Sequence, residues 1–360
     1  MSDFDVVVIG GGPAGCYAAL TAAKKGCRVA IFEEHRAIGW PRHDPGWLME
    51  SEFTESVISA LSKVLSWTKV DEYRICNAES GDLIEKSSPG GYLVRRDLLD
   101  REIATSAVQA GVSLYLNTKV VKLIRKQGRV EEIETSSDAM PRVKGGIFIC
   151  ADGIRSASNG FAVQEGLCER SKVHAGTSYL LANADVSAGI VEHFISSDFV
   201  LNQVFWPYRE GVCFVYRTSF APLHELKERE DNVVSRKIKN AYALEVGGYA
   251  FAFSGKYGEH FKDMVRDNVM FVGDASGGSG NIHGMIQGQF AGSVAASAIK
   301  EHDVSERRLR EYQDLVLNTL GRAPFFYLSA TKDFSSLNDW FREFEKSTKG
   351  VRATELTDFP

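Results

Sequence analysis

Gly10, Gly12 and Gly15 follow directly on the apolar run Val6 to Ile9, and at this Gly-x-Gly-x-x-Gly spacing it is the main chain that does the chemistry. Gly10 permits a tight turn, Gly12 lets a pyrophosphate approach the backbone, and Gly15 lets the next helix pack closely on the strand. Pro13 suits the first helical turn, where its missing N–H is no loss, and Ala14, Ala18, Ala19, Ala22 and Ala23 keep the helix slim. After Gly26 a second strand, Arg28 to Phe32, ends at Glu33, whose carboxylate can accept hydrogen bonds from ribose hydroxyls. Glu34 is the alternative, and Glu33 is preferred because it directly follows the alternating Val29, Ile31 run. A lone glycine motif is weak. Strand, glycines, helix, second strand and acid in this order point to an adenine dinucleotide.

Near the other end, "NVMFVGDASGGSGNIHGMIQGQFAGSVAASAI" reads as a strand, Val269 to Val272, then Gly273-Asp274-Ala275, a glycine-rich loop and a small-residue helix from about Gly284 to Ile299. This resembles the second FAD motif of glutathione-reductase-type flavoproteins. The resemblance implies that Asp274 binds a ribitol hydroxyl and that the helix, with Gly284 and Met285 in it, points its N-terminus at the isoalloxazine. "GIFICADGIRSAS" resembles a third element of that class, with Asp152 and Gly153 ending a strand and Arg155 behind. "YLVRRDLLDREIATSAVQAGVSLYLNTKVVKL" resembles a fourth, in which Arg96 opens a helix near the FAD phosphates or ribitol and Val120 joins the cofactor-binding set.

In their order these elements resemble the p-hydroxybenzoate-hydroxylase-like fold, and within it the geranylgeranyl reductase family. The carriers are "GGGPAG", "EEHRAIGWP", the Arg-x-x-Leu-Asp start at Arg96, and "GDASG" with "HGM" and "AGSVAA". The likeness covers the first 158 residues and about 268 to 300 well, and the middle in outline. It implies an FAD-dependent oxidoreductase acting on carbon-carbon bonds of an apolar, isoprenoid-like substrate, with hydride passing through flavin N5. Two alternatives share the motifs: a single-component FAD monooxygenase using NAD(P)H, and a FixC-like electron-transfer flavoprotein. Without a second Gly-x-Gly-x-x-Gly, the electron donor, NAD(P)H or ferredoxin, is left open.

The resemblance places "IGWPRHDPGW" across the isoalloxazine, as one wall of the substrate site. Here the chain departs from the family. His43-Asp44 stands where reductases often have a cysteine, "NQVFWP" keeps only Trp206-Pro207 of a Tyr-x-Trp-x-Phe-Pro pattern, and the loop after Asp274 is shorter and lacks proline. These changes bear on the substrate more than on the cofactor cradle. His43 or Asp44 could supply the proton that follows hydride transfer, since a histidine exchanges protons near neutral pH. The plainer reading is an exposed His43 and an Asp44 that turns the loop beside Pro45-Gly46. His283, expected just ahead of the second helix, raises the same choice between a catalytic proton and a loop hydrogen bond. Trp40, Trp47, Phe205 and Trp206 are candidate pocket walls, or plain core.

The elements that must position these groups fit 360 residues with 44% apolar content, enough for two lobes. The expectation is an α/β chain: a discontinuous Rossmann-type FAD-binding domain (1–75, 95–158 and 268–300), a substrate domain on an antiparallel sheet (76–94 and 160–267) and a C-terminal helical segment (301–360). A net charge of -5, from 42 basic and 47 acidic residues interspersed along the chain, gives no bulk attraction for nucleic acid. Six cysteines without a CxxC pair, and no secretory leader, suggest reduced thiols in a cytoplasm and neither metal nor iron-sulfur centre. No run nears the roughly 18 to 20 apolar residues of a spanning helix. Phe53, Val57, Ile58, Leu61, Val64 and Leu65 share one helical face, read as packing. The aromatic stretch from Phe325 to Phe344 is expected to pack on the substrate lobe, with peripheral membrane contact as its alternative.

Overall fold

The computed structural model describes residues 2–42, 44–158, 160–167, 172–196, 201–219, 236–253, 263–276, 280–320 and 337–356. The chain opens with β1 (Phe4–Ile9), α1 (Pro13–Lys24), β2 (Val29–Phe32), β3 (Trp47–Leu48), α2 (Glu52–Leu61) and β4 (Trp67–Lys69). Then come β5 (Glu72–Asn77), β6 (Leu83–Ser87), β7 (Tyr92–Val94), α3 (Arg96–Gln109), β8 (Ser113–Tyr115), β9 (Val120–Lys126), β10 (Arg129–Thr135) and β11 (Arg142–Cys150). Short α4 (Arg155–Ser158) and α5 (Phe161–Gln164) lead to β12 (Lys172–Ala182), β13 (Ile190–Ile195), β14 (Leu201–Arg209), β15 (Val212–Ser219) and β16 (Tyr242–Phe253). The chain returns through β17 (Val265–Arg266) and β18 (Val269–Phe271) to α6 (Asn281–Lys300), α7 (Glu306–Thr319) and α8 (Leu337–Thr348).

β1 forms the centre of a sheet ordered β17-β18-β11-β1-β2-β8, in which β1 runs parallel to both β2 and β11. Its β-branched run is buried on both faces, which is what an unbroken apolar stretch in a parallel strand requires. Val6 and Val8 pack under α1, α3 and α6, whereas Val7 and Ile9 pack against the β9–β10 hairpin and α5. Val120 opens β9 within that second layer. The carboxyl ends of β1, β2, β11 and β18 all lie at one edge, where an open α/β sheet offers its ligand crevice.

The second sheet, β16-β12-β15-β14-β13-β5-β6, is antiparallel except for the parallel pair β13 and β5. Strand alternation gives it two different faces. Trp206, Phe214, Val204 and Tyr73 pack on one, and Phe205, Val215 and Cys213 on the other. A small sheet, β3-β7-β4, joins the loop after β2 to the chain ahead of α3. On α2, Phe53, Val57, Ile58 and Leu61 are buried as the helical period requires, with Leu65 beyond its end, but Val64 is half exposed because the helix stops at Leu61. Among the described residues no helix is long and apolar enough to cross a membrane, and no cluster of His, Cys, Asp and Glu could hold a metal ion.

Candidate active site

Gly12 caps α1 with no side chain bonded to the first-turn N–H groups, and a Cβ there would meet nothing within 4 Å. Its main chain therefore faces open space with donors directed outward. Gly10, at φ +104°, and Gly15 are demanded by packing instead: a Cβ on the first would overlap the Ala151 carbonyl, and on the second the Gly10 carbonyl. Glu33, ending β2, lies on this turn. Its Oε2 accepts the Gly11 N–H at 2.7 Å, while Oε1 accepts the His35 N–H at 2.8 Å and lies 2.6 Å from His35 Nδ1. Glu34 points elsewhere, paired with Arg155 and 3.8 Å from Lys119. The neighbouring carboxylates are thus separated, with Glu33 at the glycines.

α6 presents a second N-terminus of the same kind. Gly280, at φ +89°, caps it without a side-chain bond. The helix begins at Asn281 rather than near Gly284, which puts His283 inside the first turn instead of ahead of it. There His283 is buried, with Nε2 3.4 Å from Ser347 Oγ on α8. Gly273 opens a 3-10 turn holding Asp274, and the Cβ positions of Gly273 and Gly284 lie 3.0 and 3.6 Å from Ala14 Cβ. The N-termini of α1 and α6 therefore converge at Ala14. Gln287, not singled out by the sequence pattern, supports this corner by accepting from Gly273 N at 2.7 Å and Ser276 Oγ at 2.8 Å. Met285 is fully buried beneath.

The 39–47 loop lies across this junction. Gly39 and Gly46, at φ +74° and +79°, let it lie on the start of α3, where a Cβ on Gly39 would come within 2.7 Å of Asp97 Cα. Asp44 Oδ1 accepts the Gly46 N–H at 2.7 Å and Asn281 Nδ2–H at 2.8 Å, and lies 3.4 Å from Arg96. Arg96 is buried and bonds Asp100 at 2.6 Å and Asn281 Oδ1 at 2.5 Å. Burial disfavours its charge, but Asp100, Asp44 and Asp274 outweigh that and hold the guanidinium firmly protonated. Asp44 is thereby a turn residue and a clamp, with one oxygen engaged by three groups. His43 lies outside the described residues. Asn281 escapes sequence reading because its partners are about 185 and 237 positions away.

Of the aromatic candidates, Trp47 and Trp206 meet, with ring centroids 5.3 Å apart, and Tyr73 and Phe341 complete the cluster at 5.7 and 5.8 Å from Trp47. Phe205 points to the opposite sheet face and packs on Phe194, so it stands apart from this group. Trp40 is 41% exposed. Phe341 shows the C-terminal stretch packing on the substrate lobe at that position; Phe325 to Phe334 lie outside the described residues.

Asp152 follows β11 beside Gly153, which takes φ +65°. Burial pushes its carboxyl up to about 6 against hydrogen bonds from Ser156 and the Phe161 backbone, and Oδ1 is buried without a hydrogen-bond partner. Because the folded form holds the proton more tightly than an unfolded aspartate at 3.8, stability should fall as pH rises from about 4 to about 6 and then level off. Asp152→Asn should flatten that slope, on the order of 2 to 3 kcal/mol. Urea unfolding at stepped pH checks it, and an unchanged slope in the variant removes Asp152 as its source.

Two helix N-termini without side-chain caps meeting over a parallel sheet, with a glutamate on the glycine turn, have the form of a dinucleotide-binding α/β fold. Residues 4–165 match the family model described as pyridine nucleotide-disulphide oxidoreductase. The chain is 28% identical to digeranylgeranylglycerophospholipid reductase 2 of Methanopyrus kandleri over 94% of its own length and 88% of the relative's. A geranylgeranyl bacteriochlorophyll reductase-like protein from Thermoplasma acidophilum superposes with a TM-score of 0.75 at 21% identity, covering 98% of this chain and 89% of that one. A flavin-dependent brominase shares the fold at a TM-score of 0.69 and 17% identity, covering 98% and 97%. The chain is thus similar along nearly its whole length to reductases of the geranylgeranyl type, the resemblance its motifs led us to expect.

Proposed function

We propose that the protein binds FAD across the two helix N-termini and reduces carbon-carbon double bonds of an isoprenoid lipid. What carries this reading is the likeness, along nearly the whole chain, to reductases named for a digeranylgeranyl phospholipid. The cradle supports the cofactor: Gly12 leaves room for a pyrophosphate at α1, Glu33 stands where a ribose would be held, and the α6 N-terminus with Asp274 suits the flavin end. The bound flavin would supply hydride. The chain's own part is to hold the dinucleotide, keep the loop closed through Asp44, Arg96 and Asn281, and wall the site with Trp47.

Anaerobic turnover with a geranylgeranyl phospholipid, using dithionite, NADH, NADPH and reduced ferredoxin in turn, tests the reading. A product heavier by two hydrogens per bond is expected. Oxygen insertion would indicate the monooxygenase instead, and flavin oxidation by a quinone without lipid reduction would indicate the electron carrier.

Glu33→Ala is expected to weaken FAD binding by about 1 to 3 kcal/mol, the scale of hydrogen bonds to a charged acceptor, and Glu34→Ala to leave it nearly unchanged. Fluorescence titration of apoprotein separates them, and the reverse ranking would show that Glu34 is the ribose ligand. Asp44→Asn should loosen FAD by about tenfold through the weakened clamp while the oxidative half-reaction stays within a few-fold. A slowing of roughly 10²-fold or more in rapid-mixing experiments would make Asp44 a proton donor after all.

A further inference from the structure

The loop over the candidate flavin site is also held from the substrate lobe, through a residue that no motif marks. Arg42 is 2% exposed at its side chain and lies between α3 and β16. One guanidinium nitrogen is 3.4 Å from Asp97 Oδ1; two others engage Glu245, with Nε 3.4 Å from Oε1 and the terminal nitrogen paired with Oε2. Burial disfavours the Arg42 charge, and Glu245 and Asp97 outweigh it, so the guanidinium stays protonated. Glu245 belongs to β16, the outer strand of the seven-stranded sheet. Two residues on, and on the same strand face, the Cβ position of Gly247 is 3.3 Å from the Arg42 carbonyl oxygen, so the strand also lies against the loop's main chain.

We propose that Arg42 is a positioning residue, which, through Glu245, ties the attitude of the 39–47 loop to the edge of the substrate sheet and so links the flavin end of the cradle to that lobe. A carboxylate on the substrate sheet that pairs with Arg42 then acts on flavin binding from outside the dinucleotide cradle. The link runs both ways, because a coupling free energy is reciprocal. The inference rests on the flavin reading above, and its test separates the two.

FAD dissociation constants and visible flavin spectra are measured for the wild type, Glu245→Gln, Arg42→Met and the double variant. Glu245→Gln keeps the shape of a partly exposed side chain. It is expected to weaken FAD binding roughly tenfold and shift the bound-flavin band, and to add nothing once Arg42 is methionine. Tyr208, whose hydroxyl donates to the Pro45 carbonyl at 2.7 Å, is a second tether on the same loop, from β14. If Glu245→Gln binds FAD with wild-type affinity and spectrum while only its melting temperature falls, the pair is a mere brace and the proposal is overturned. It is equally overturned if the effects of Glu245→Gln and Arg42→Met multiply. A wild-type protein that takes up no FAD sinks the flavin reading instead.

Discussion

Arg96→Met should cost the fold about 3 to 5 kcal/mol, the scale for removing one partner of a buried ion pair. The arginine is buried at the N-terminus of α3, and its removal takes the charged partner from Asp100, itself 4% exposed, and one contact each from Asn281 and the loop's Asp44, which still hold each other. Methionine fills much of the space but satisfies none of these groups. The loss comes chiefly from a buried carboxylate deprived of its positive charge rather than from the worth of the pair. Arg96→Met combined with Asp100→Leu should therefore recover a large part of it, because replacing both charges by apolar groups is often close to neutral. Chemical unfolding midpoints for the two variants decide the matter. A single variant as stable as the wild type, or a double variant worse than the single, would falsify this account. Apoprotein suffices, so the outcome is independent of the cofactor.

The same cluster shows where sequence reading stops. The turn at Gly10, Gly12 and Gly15 and the place of Glu33 at the end of β2 were legible because strand, glycines, helix and acid fall within one βαβ unit, at spacings set by local geometry. Asn281 and Arg42 were not, since each is defined by partners across the fold, Glu245 lying 203 positions from Arg42. Neither type nor spacing marks an asparagine as the bridge between a loop carboxylate and an arginine. The late placement of the α6 start has a local cause. The run of small residues begins at Gly284, but the backbone turns at Gly280 in a conformation only glycine adopts readily, and the helix starts there. Phe205 and Trp206 form one aromatic pair in the sequence, yet the period of two in β14 sends them to opposite faces, a distinction the strand pattern itself carried. Phe341 joins Trp47 and Tyr73 only through the docking of α8.

Gly288→Val should separate two helices whose contact shapes the cradle. Gly284, Gly288 and Gly292 recur every fourth residue and so line one stripe of α6, facing Ala14 and Ala18 of α1. At Gly288 a Cβ would overlap the Ala14 carbonyl oxygen and stand 3.0 Å from Ala18 N, against main chain that cannot swing aside as a side chain can. Valine adds two further methyl groups, so the helices must part. Overpacking of this kind costs about 1 to 3 kcal/mol and more where backbone must shift, and we expect about 3 kcal/mol or above. The consequence for function follows from where the stripe begins. Ala14 is the first residue after Pro13 in α1 and touches both Gly273 and Gly284, so moving α1 away from α6 pulls apart the two N-termini that would hold the dinucleotide. FAD affinity should fall at least tenfold alongside stability, a factor equal to about 1.4 kcal/mol. Gly284→Ala is the control for the fold: its Cβ lies 3.6 Å from Ala14 Cβ, an ordinary contact, and alanine favours the helix, so unfolding should shift little. Equal unfolding midpoints for Gly288→Val and the wild type would mean that the close approach of α1 and α6 is not what sets the geometry of the site.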